Sequence, residues 1–98
     1  MASYRLSKLA RDQLKGIYAF TDTKFGRYQA DAYAAGLERS FGLIADFPRM
    51  GLASDALSRG YRRLRFQSHY IFYTEERDHV LIRALIHTAQ DLRPDLFD

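Results

Sequence analysis

The sequence predicts one α+β domain of order β-α-α-β-β-β, in which an N-terminal helical hairpin packs on a small, mostly antiparallel sheet. Two stretches in the first half of the chain have apolar residues at helical spacing. Three runs in the second half are rich in β-branched and aromatic residues and are separated by short polar breaks. A length of 98 residues fits a single domain over residues 1–98.

The first two predicted elements are a short strand over residues 3–6 and a helix over residues 8–24. Ser7 is a suitable N-cap for that helix. Gly16 weakens the helix slightly, and Gly26 fits its C-terminal end. The apolar stripe of this helix consists of Ala10, Leu14, Ile17, Tyr18, Thr21 and Phe25.

The second helical pattern is stronger and ends before Pro48, because the proline ring disfavours a helical conformation at Phe47. Few residues separate the two helices, so they form an antiparallel hairpin. Residues 48–60 are predicted to be a loop, with one helical turn over residues 54–57 as an alternative. The stripe of the second helix consists of Ala30, Tyr33, Ala34, Leu37, Phe41, Ile44 and Ala45.

The last predicted element is an antiparallel meander with strands over residues 61–66, 69–74 and 80–87. With a two-residue turn at residues 67–68, the facing pairs are Phe66 with His69, Leu64 with Ile71, and Arg62 with Tyr73. The opposite face then carries Arg63, Arg65, Tyr70 and Phe72. Strict alternation in the last strand puts Val80, Ile82, Ala84 and Ile86 on one face, and Leu81, Arg83, Leu85 and His87 on the other. Phe41 and Ile82 are expected to be buried where the hairpin meets the sheet.

Composition favours a soluble cytoplasmic protein. No apolar run approaches the roughly 20 residues of a membrane helix, and the chain has no cysteine. The net charge is +3, and arginine far outnumbers lysine, which favours bidentate contacts to carboxylates or phosphates. The alternatives are an anionic partner and an ordinary solvated surface.

No motif in the sequence predicts a cofactor or a metal. The one candidate catalytic group consists of arginines with a histidine: Arg62 or Arg63, Arg65, Arg83 and His87. Arginines can hold a phosphodiester and a histidine can transfer a proton. Alternatively, the arginines pair with acidic groups and His87 is a structural hydrogen-bonding residue.

An ordered set of residues spans almost the whole chain: Tyr4-Arg5-Leu6-Ser7, Ala10, Asp12, Leu14, Gln29-Ala30, Leu37, Phe41, Pro48, Gly51, Gly60-Tyr61-Arg62, His69-Tyr70-Ile71-Phe72-Tyr73, Ile82-Arg83-Ala84-Leu85-Ile86-His87 and Asp91. In this set the chain resembles toxins of the RelE/ParE superfamily, and the ParE branch more than the RelE branch. The resemblance implies the same fold as the residue patterns predict.

The resemblance to ParE toxins also implies a function. Such toxins poison DNA gyrase and block replication, and a ParD-like antitoxin neutralises them in a hetero-oligomeric complex. The antitoxin binds the operator, so no sequence-specific DNA binding is expected of this chain. The alternative is a RelE-like, ribosome-dependent mRNA endonuclease using Arg65, Arg83 and His87, although Thr88 stands where a tyrosine would commonly follow. A third possibility is a degenerate toxin that retains only antitoxin binding.

Two surfaces are predicted to make the contacts. The antitoxin is expected on the adjoining helical hairpin and on a face that mixes cations with large apolar side chains, consisting of Arg63, Arg65, Tyr70, Phe72, Arg83 and Leu85. The target is expected at the C-terminal segment, through Leu92, Arg93, Leu96 and Phe97. The alternative for that segment is that it packs on its own domain.

Overall fold

Two helices cover one face of a five-stranded sheet in the computed structural model, which describes residues 3–55 and 58–97. The strand order is β1-β5-β4-β3-β2. The predicted fold class and the order of its elements are confirmed. The elements are β1 (Tyr4–Leu6), α1 (Lys8–Phe25), α2 (Arg27–Asp46), β2 (Leu52–Ala53), β3 (Arg62–Phe66), β4 (His69–Glu75), β5 (Val80–His87) and a final 3-10 turn (Pro94–Phe97).

The predicted loop over residues 48–60 contains β2, which the sequence analysis did not anticipate. This strand has two residues and pairs antiparallel with β3, Leu52 lying opposite Arg63. So short a strand has no periodicity to detect, which is why it was missed. The alternative of a helical turn over residues 54–57 falls partly on residues 56–57, which lie outside the described part of the chain.

Ser7 connects the first strand to the first helix and confirms the predicted cap. Its Oγ accepts a hydrogen bond from the Ala10 N–H at 3.0 Å and donates one to the Arg83 carbonyl at 2.9 Å. β1 lies parallel to β5, with Leu6 opposite Ile82. One hydroxyl therefore starts α1 and fixes it to the sheet.

A single glycine joins the two helices. Gly26 has a φ of 94°, a conformation that favours glycine, and its N–H donates to the Asp22 carbonyl at 2.9 Å. The Tyr18 hydroxyl donates to the Asp31 carboxylate across the hairpin at 2.6 Å. The predicted antiparallel hairpin is thus built around one residue.

The main core lies between the hairpin and the face of the sheet that it covers, called here the inner face. Phe41 and Ile82 are fully buried there, as predicted. Gly36 lies against the Phe66 ring so closely that a Cβ at this position would lie 2.3 Å from the ring. The buried residues of this core are Ala10, Leu37, Phe41, Ile44, Ile71, Tyr73, Val80, Ile82 and Leu85.

The predicted register of the first hairpin of the meander is confirmed, with Phe66 opposite His69 and Leu64 opposite Ile71. The predicted alternation of the last strand is wrong beyond Ile82. Tyr73 pairs with Ile82 but Phe72 pairs with Ala84, so Arg83 is an extra residue in β5. Such a β-bulge reverses the alternation of all residues that follow it.

The bulge moves residues between the two faces of the sheet. Leu85 lies opposite Ile71 and belongs to the inner core, whereas the sequence alternation put it on the outer face. Ala84 and Ile86 instead join a second cluster on the outer face, together with Tyr61 and Phe72. β5 therefore contributes apolar side chains to both faces.

The C-terminal segment covers the outer cluster. The Phe97 ring lies edge-on to Phe72, with centroids 4.9 Å apart, and to Tyr61 at 5.4 Å. Leu92 and Leu96 also pack against this cluster. The alternative that the tail packs on its own domain is thus observed. No helix within residues 3–55 and 58–97 is long and apolar enough to cross a membrane.

Candidate functional site

The outer face carries guanidinium groups beside aromatic rings. Arg63 lies over Tyr70, with its Cζ 4.9 Å from the ring centroid, and Arg83 lies over Tyr61 at 5.4 Å. The pairing of β3 with β4 brings Arg63 close to Tyr70. Arg63 lies opposite Phe72, and Arg65, two residues further along β3, lies opposite Tyr70. Stacked arginines of this kind can still bind carboxylates along their edges.

The arginines differ in how firmly they are held. Arg83 donates from Nε to the Thr74 hydroxyl at 3.0 Å and lies 3.7 Å from the Glu76 carboxylate. Arg65 is exposed and donates only to the Gln67 carbonyl, at 2.8 Å. Arg62 donates to the Gly51 carbonyl at 2.8 Å. Arg62 thus stabilises the loop before β2. Of the two alternatives Arg62 and Arg63, it is Arg63 that lies on the outer face.

The predicted antitoxin-binding residues do not all lie on this accessible surface. Arg63, Arg65, Tyr70 and Arg83 do, each at least partly exposed. Phe72 is on the predicted face but is fully buried beneath Phe97. Leu85 is 3% exposed on the inner face, so its assignment to the outer face is corrected. We call the four accessible residues the arginine rim.

The predicted target-binding segment combines an exposed charge with half-buried apolar side chains. Arg93 is exposed, and its Nε lies 3.5 Å from the Asp95 carboxylate. Leu92, Leu96 and Phe97 turn partly toward the outer cluster. The segment therefore packs its apolar side chains on the outer cluster and presents Arg93 to solvent.

The three residues of the nuclease alternative are not brought together. Arg65 and Arg83 lie on the outer face, whereas His87 lies beyond the bulge on the inner side, opposite His69. The His87 Nδ1 accepts a hydrogen bond from the Ala89 N–H at 3.0 Å. This bond gives His87 the structural role that the sequence left open.

His87 belongs to a histidine–tyrosine cluster that the sequence analysis missed. The His69 and His87 rings are 5.3 Å apart, and the Tyr33 hydroxyl lies 2.7 Å from the His69 Nδ1. Burial, and then the charge of His87, lower the pKa of His69. Burial also raises the pKa of Tyr33. The predicted Phe66–His69 pairing placed His69 at the end of the sheet, but nothing local indicated that Tyr33 would reach it.

The cluster lies at one side of a groove of about 850 Å³ between α1 and the ends of β4 and β5. Phe20 and Phe25, which are 63% and 62% exposed, form part of its wall. In the described part of the chain, no three His, Asp or Glu side chains come close enough to hold a metal ion.

Comparisons with known proteins agree with the fold. The family model described as the ParE toxin of the type II toxin–antitoxin system parDE matches residues 4–92. The chain is 35% identical over 96 residues to Toxin ParE1 of Caulobacter vibrioides, covering 98% of this chain and 99% of that protein. It is also 35% identical over 95 residues to Toxin ParE1 of Mycobacterium tuberculosis, covering 95% and 96%.

A solved structure has the same architecture. The chromosomal ParDE toxin–antitoxin system from P. aeruginosa contains a chain that matches with a TM-score of 0.77 at 15% identity, covering 89% of this chain and 96% of that one. At this identity the match supports the fold. The family model and the relatives decide the family: the chain belongs to the ParE toxins of type II toxin–antitoxin systems.

Proposed function

We propose that this chain is a cytoplasmic toxin that binds and poisons DNA gyrase, blocks replication, and is neutralised by a ParD-like antitoxin. Membership of the ParE family supports the toxin role. The choice of binding over RNA cleavage rests on one observation, the separation of His87 from Arg65 and Arg83 by the sheet. A general acid or base must lie within hydrogen-bond reach of the reacting group, so these three cannot act on one phosphodiester.

The antitoxin is proposed to bind the arginine rim. A segment that folds on binding uses apolar anchors bordered by charge. Tyr70, with the Arg63 guanidinium over its ring and Arg65 opposite it in β3, suits an acidic segment. Arg83 is partly neutralised by Glu76, so Arg63 and Arg65 carry more of the free positive charge. Leu85 and Phe72 are no longer proposed as direct contacts, because both are buried.

The target is proposed to meet the C-terminal segment from Leu92 to Phe97. This segment presents Arg93 outward while its apolar residues cover the outer cluster. A short segment held by only a few side chains can rearrange on a partner at low energetic cost. The gyrase surface would then adjoin the antitoxin surface, so that one partner obstructs the other.

Purified protein added to a gyrase supercoiling assay, with a translation assay in parallel, tests this function. We expect loss of supercoiling, accumulation of cleaved DNA and unaffected translation. The His87→Gln variant should behave like the natural sequence in both assays. Inhibited translation with cleaved mRNA, abolished by His87→Gln, would replace the proposal with the nuclease function.

Charge reversal tests the antitoxin surface. Arg63→Glu or Arg65→Glu should weaken antitoxin binding by about 2 kcal/mol, roughly 30-fold in Kd, because a desolvated ion pair becomes a repulsion. Arg39→Glu, an exposed change of the same charge on α2, is the matched control and should bind normally. Titration calorimetry with the cognate antitoxin measures all three. Unchanged Kd values for both rim variants would remove this face from the interface.

A further inference from the structure

We propose that the groove between α1 and the ends of β4 and β5 binds a small amphipathic carboxylate. Its anionic group would lie at the His69 and His87 imidazoles, and its apolar part along Ile17, Phe20 and Phe25. This site is distinct from the arginine rim, which lies on the other side of the sheet. The proposal does not depend on the proposed function.

The size and wall of the groove suit such a ligand. A volume of about 850 Å³ falls in the range of about 300–1,000 Å³ typical of small-molecule sites. The lining from Gln13 to Phe25 follows α1 for roughly 18 Å. Phe20 and Phe25 are more than half exposed and together give the groove an apolar wall.

Gly16 lies in the wall of the groove. It lies in the middle of α1, where glycine costs about 1 kcal/mol relative to alanine. A Cβ at this position would meet no atom within 4 Å, so close packing does not explain the glycine. Since Gly16 lines the groove, the space that it leaves belongs to the site.

The hydrogen bonds of the histidines determine what they offer a ligand. The Tyr33 hydroxyl accepts the Ser68 N–H at 3.2 Å and shares a hydrogen bond with the His69 Nδ1 at 2.7 Å. The His87 Nδ1 accepts the Ala89 N–H. The proton of the His87 ring is therefore on Nε2, and this nitrogen is a donor. A donor at this end of the groove favours an acceptor such as a carboxylate.

The charge of the lining residues also favours an anionic ligand. The lining residues include one ammonium group, that of Lys24, and no acidic side chain among those described. The uncompensated positive potential favours an anion and disfavours an amine.

The groove suits a small molecule better than an extended peptide. At this end of the sheet it borders β4 and β5, and β4 is paired on both sides while β5 lies between β1 and β4. An extended peptide would therefore find no free strand edge here, and its backbone groups would lack partners.

Titration calorimetry of the full chain with octanoate, octylamine and octanol tests the proposal. We expect octanoate to bind and octylamine to bind at least about tenfold more weakly, as the loss of charge-assisted hydrogen bonds predicts. His87→Leu, which removes the Nε2 donor, should weaken octanoate binding by about tenfold or more. A circular dichroism spectrum of each variant checks its fold.

Gly16→Leu should abolish octanoate binding by filling the groove. Gly42→Leu is the matched control, because Gly42 also lies inside a helix with open space around it but outside the groove. This control should bind like the natural sequence. Equal affinity for octanoate and octylamine, no binding of octanoate at millimolar concentration, or the same affinity in both leucine variants would each overturn the proposal.

Discussion

The two faces of the sheet bury similar residues but are closed in different ways. Two helices of 18 and 20 residues cover the inner face, where Phe41 and Ile82 are fully buried. A four-residue 3-10 turn covers the outer face, where the partly exposed Phe97 closes over Phe72. The inner closure is extensive and supplies stability, whereas the outer one is small, as the proposed exchange for a partner requires.

The polar groups also differ between the two faces, those of the outer face being the more accessible. The outer cluster is bordered by the arginine rim, in which Arg63 stacks on Tyr70 and Arg83 stacks on Tyr61. On the inner face the polar groups are engaged in hydrogen bonds, as at His69 with Tyr33 and at the Tyr73 hydroxyl with the Pro48 carbonyl. The comparison teaches that in this fold one face is deeply covered, whereas the rim of the other stays accessible to solvent.

The largest expected effect is on the inner face. Phe41→Ala should lower the free energy of unfolding by about 3–5 kcal/mol and Ile82→Ala by about 2–5, because each leaves a cavity in a fully buried site. Denaturant unfolding followed by circular dichroism measures both. In a domain with about 5–15 kcal/mol of stability, either change can prevent folding. A loss below about 1 kcal/mol would show that the inner face is not the main core.

The outer face should respond less. Phe97→Ala removes two edge-on aromatic contacts and part of a half-buried ring, so we expect a loss of about 1–2 kcal/mol in the same experiment. Phe20→Ala is the matched control, since its ring is 63% exposed, and should change stability by under about 0.5 kcal/mol. A loss for Phe97→Ala as large as that for Phe41→Ala would end the distinction between the faces.

The smallest expected effect concerns pH and the open end of the inner face. The folded pKa of His69 is lowered, first by burial and then by the charge of His87. The neutral ring is therefore favoured by folding. Its contribution to stability is complete above the ordinary pKa of about 6.5 and is lost as the pH falls through the folded pKa.

Thermal unfolding between pH 7.5 and pH 5 measures this contribution. The melting temperature should fall over that range, and His69→Gln should reduce the fall. His79→Gln, which alters a histidine paired with Asp78 at the other end of the meander, serves as the control. An identical pH profile for His69→Gln and the natural sequence would contradict the role given to His69.

Much of this arrangement could be predicted from the sequence because it depends on local patterns. The stripe containing Phe41, the Ser7 cap and the two-residue turn before His69 each follow from a few neighbouring residues. The bulge at Arg83 could not be predicted, since the residues of β5 alternate regularly and only pairing with β4 reveals the extra one. For the same reason Leu85 was assigned to the wrong face.

The candidate sites were predictable only in part. Arg63, Arg65 and Tyr70 lie together as expected, because the register of one hairpin fixes them. The contact between Tyr33 and His69 joins residues 36 positions apart. The covering of Phe72 by Phe97 likewise depends on the path of the tail after β5. Contacts of this kind follow from the whole fold and not from periodicity.

Growth inhibition in cells lacking the antitoxin tests most directly the claim that toxicity comes from an accessible surface and not from proton transfer. The variants are His87→Gln, Arg93→Glu and a chain ending at Asp91, each checked for folding. General acid–base catalysis supplies about 10²–10⁴ in rate, so a nuclease would be crippled by His87→Gln. We expect His87→Gln to remain toxic, and Arg93→Glu and the shortened chain to lose toxicity. If His87→Gln alone abolishes toxicity while the other two remain toxic, the account is contradicted and the nuclease mechanism takes its place.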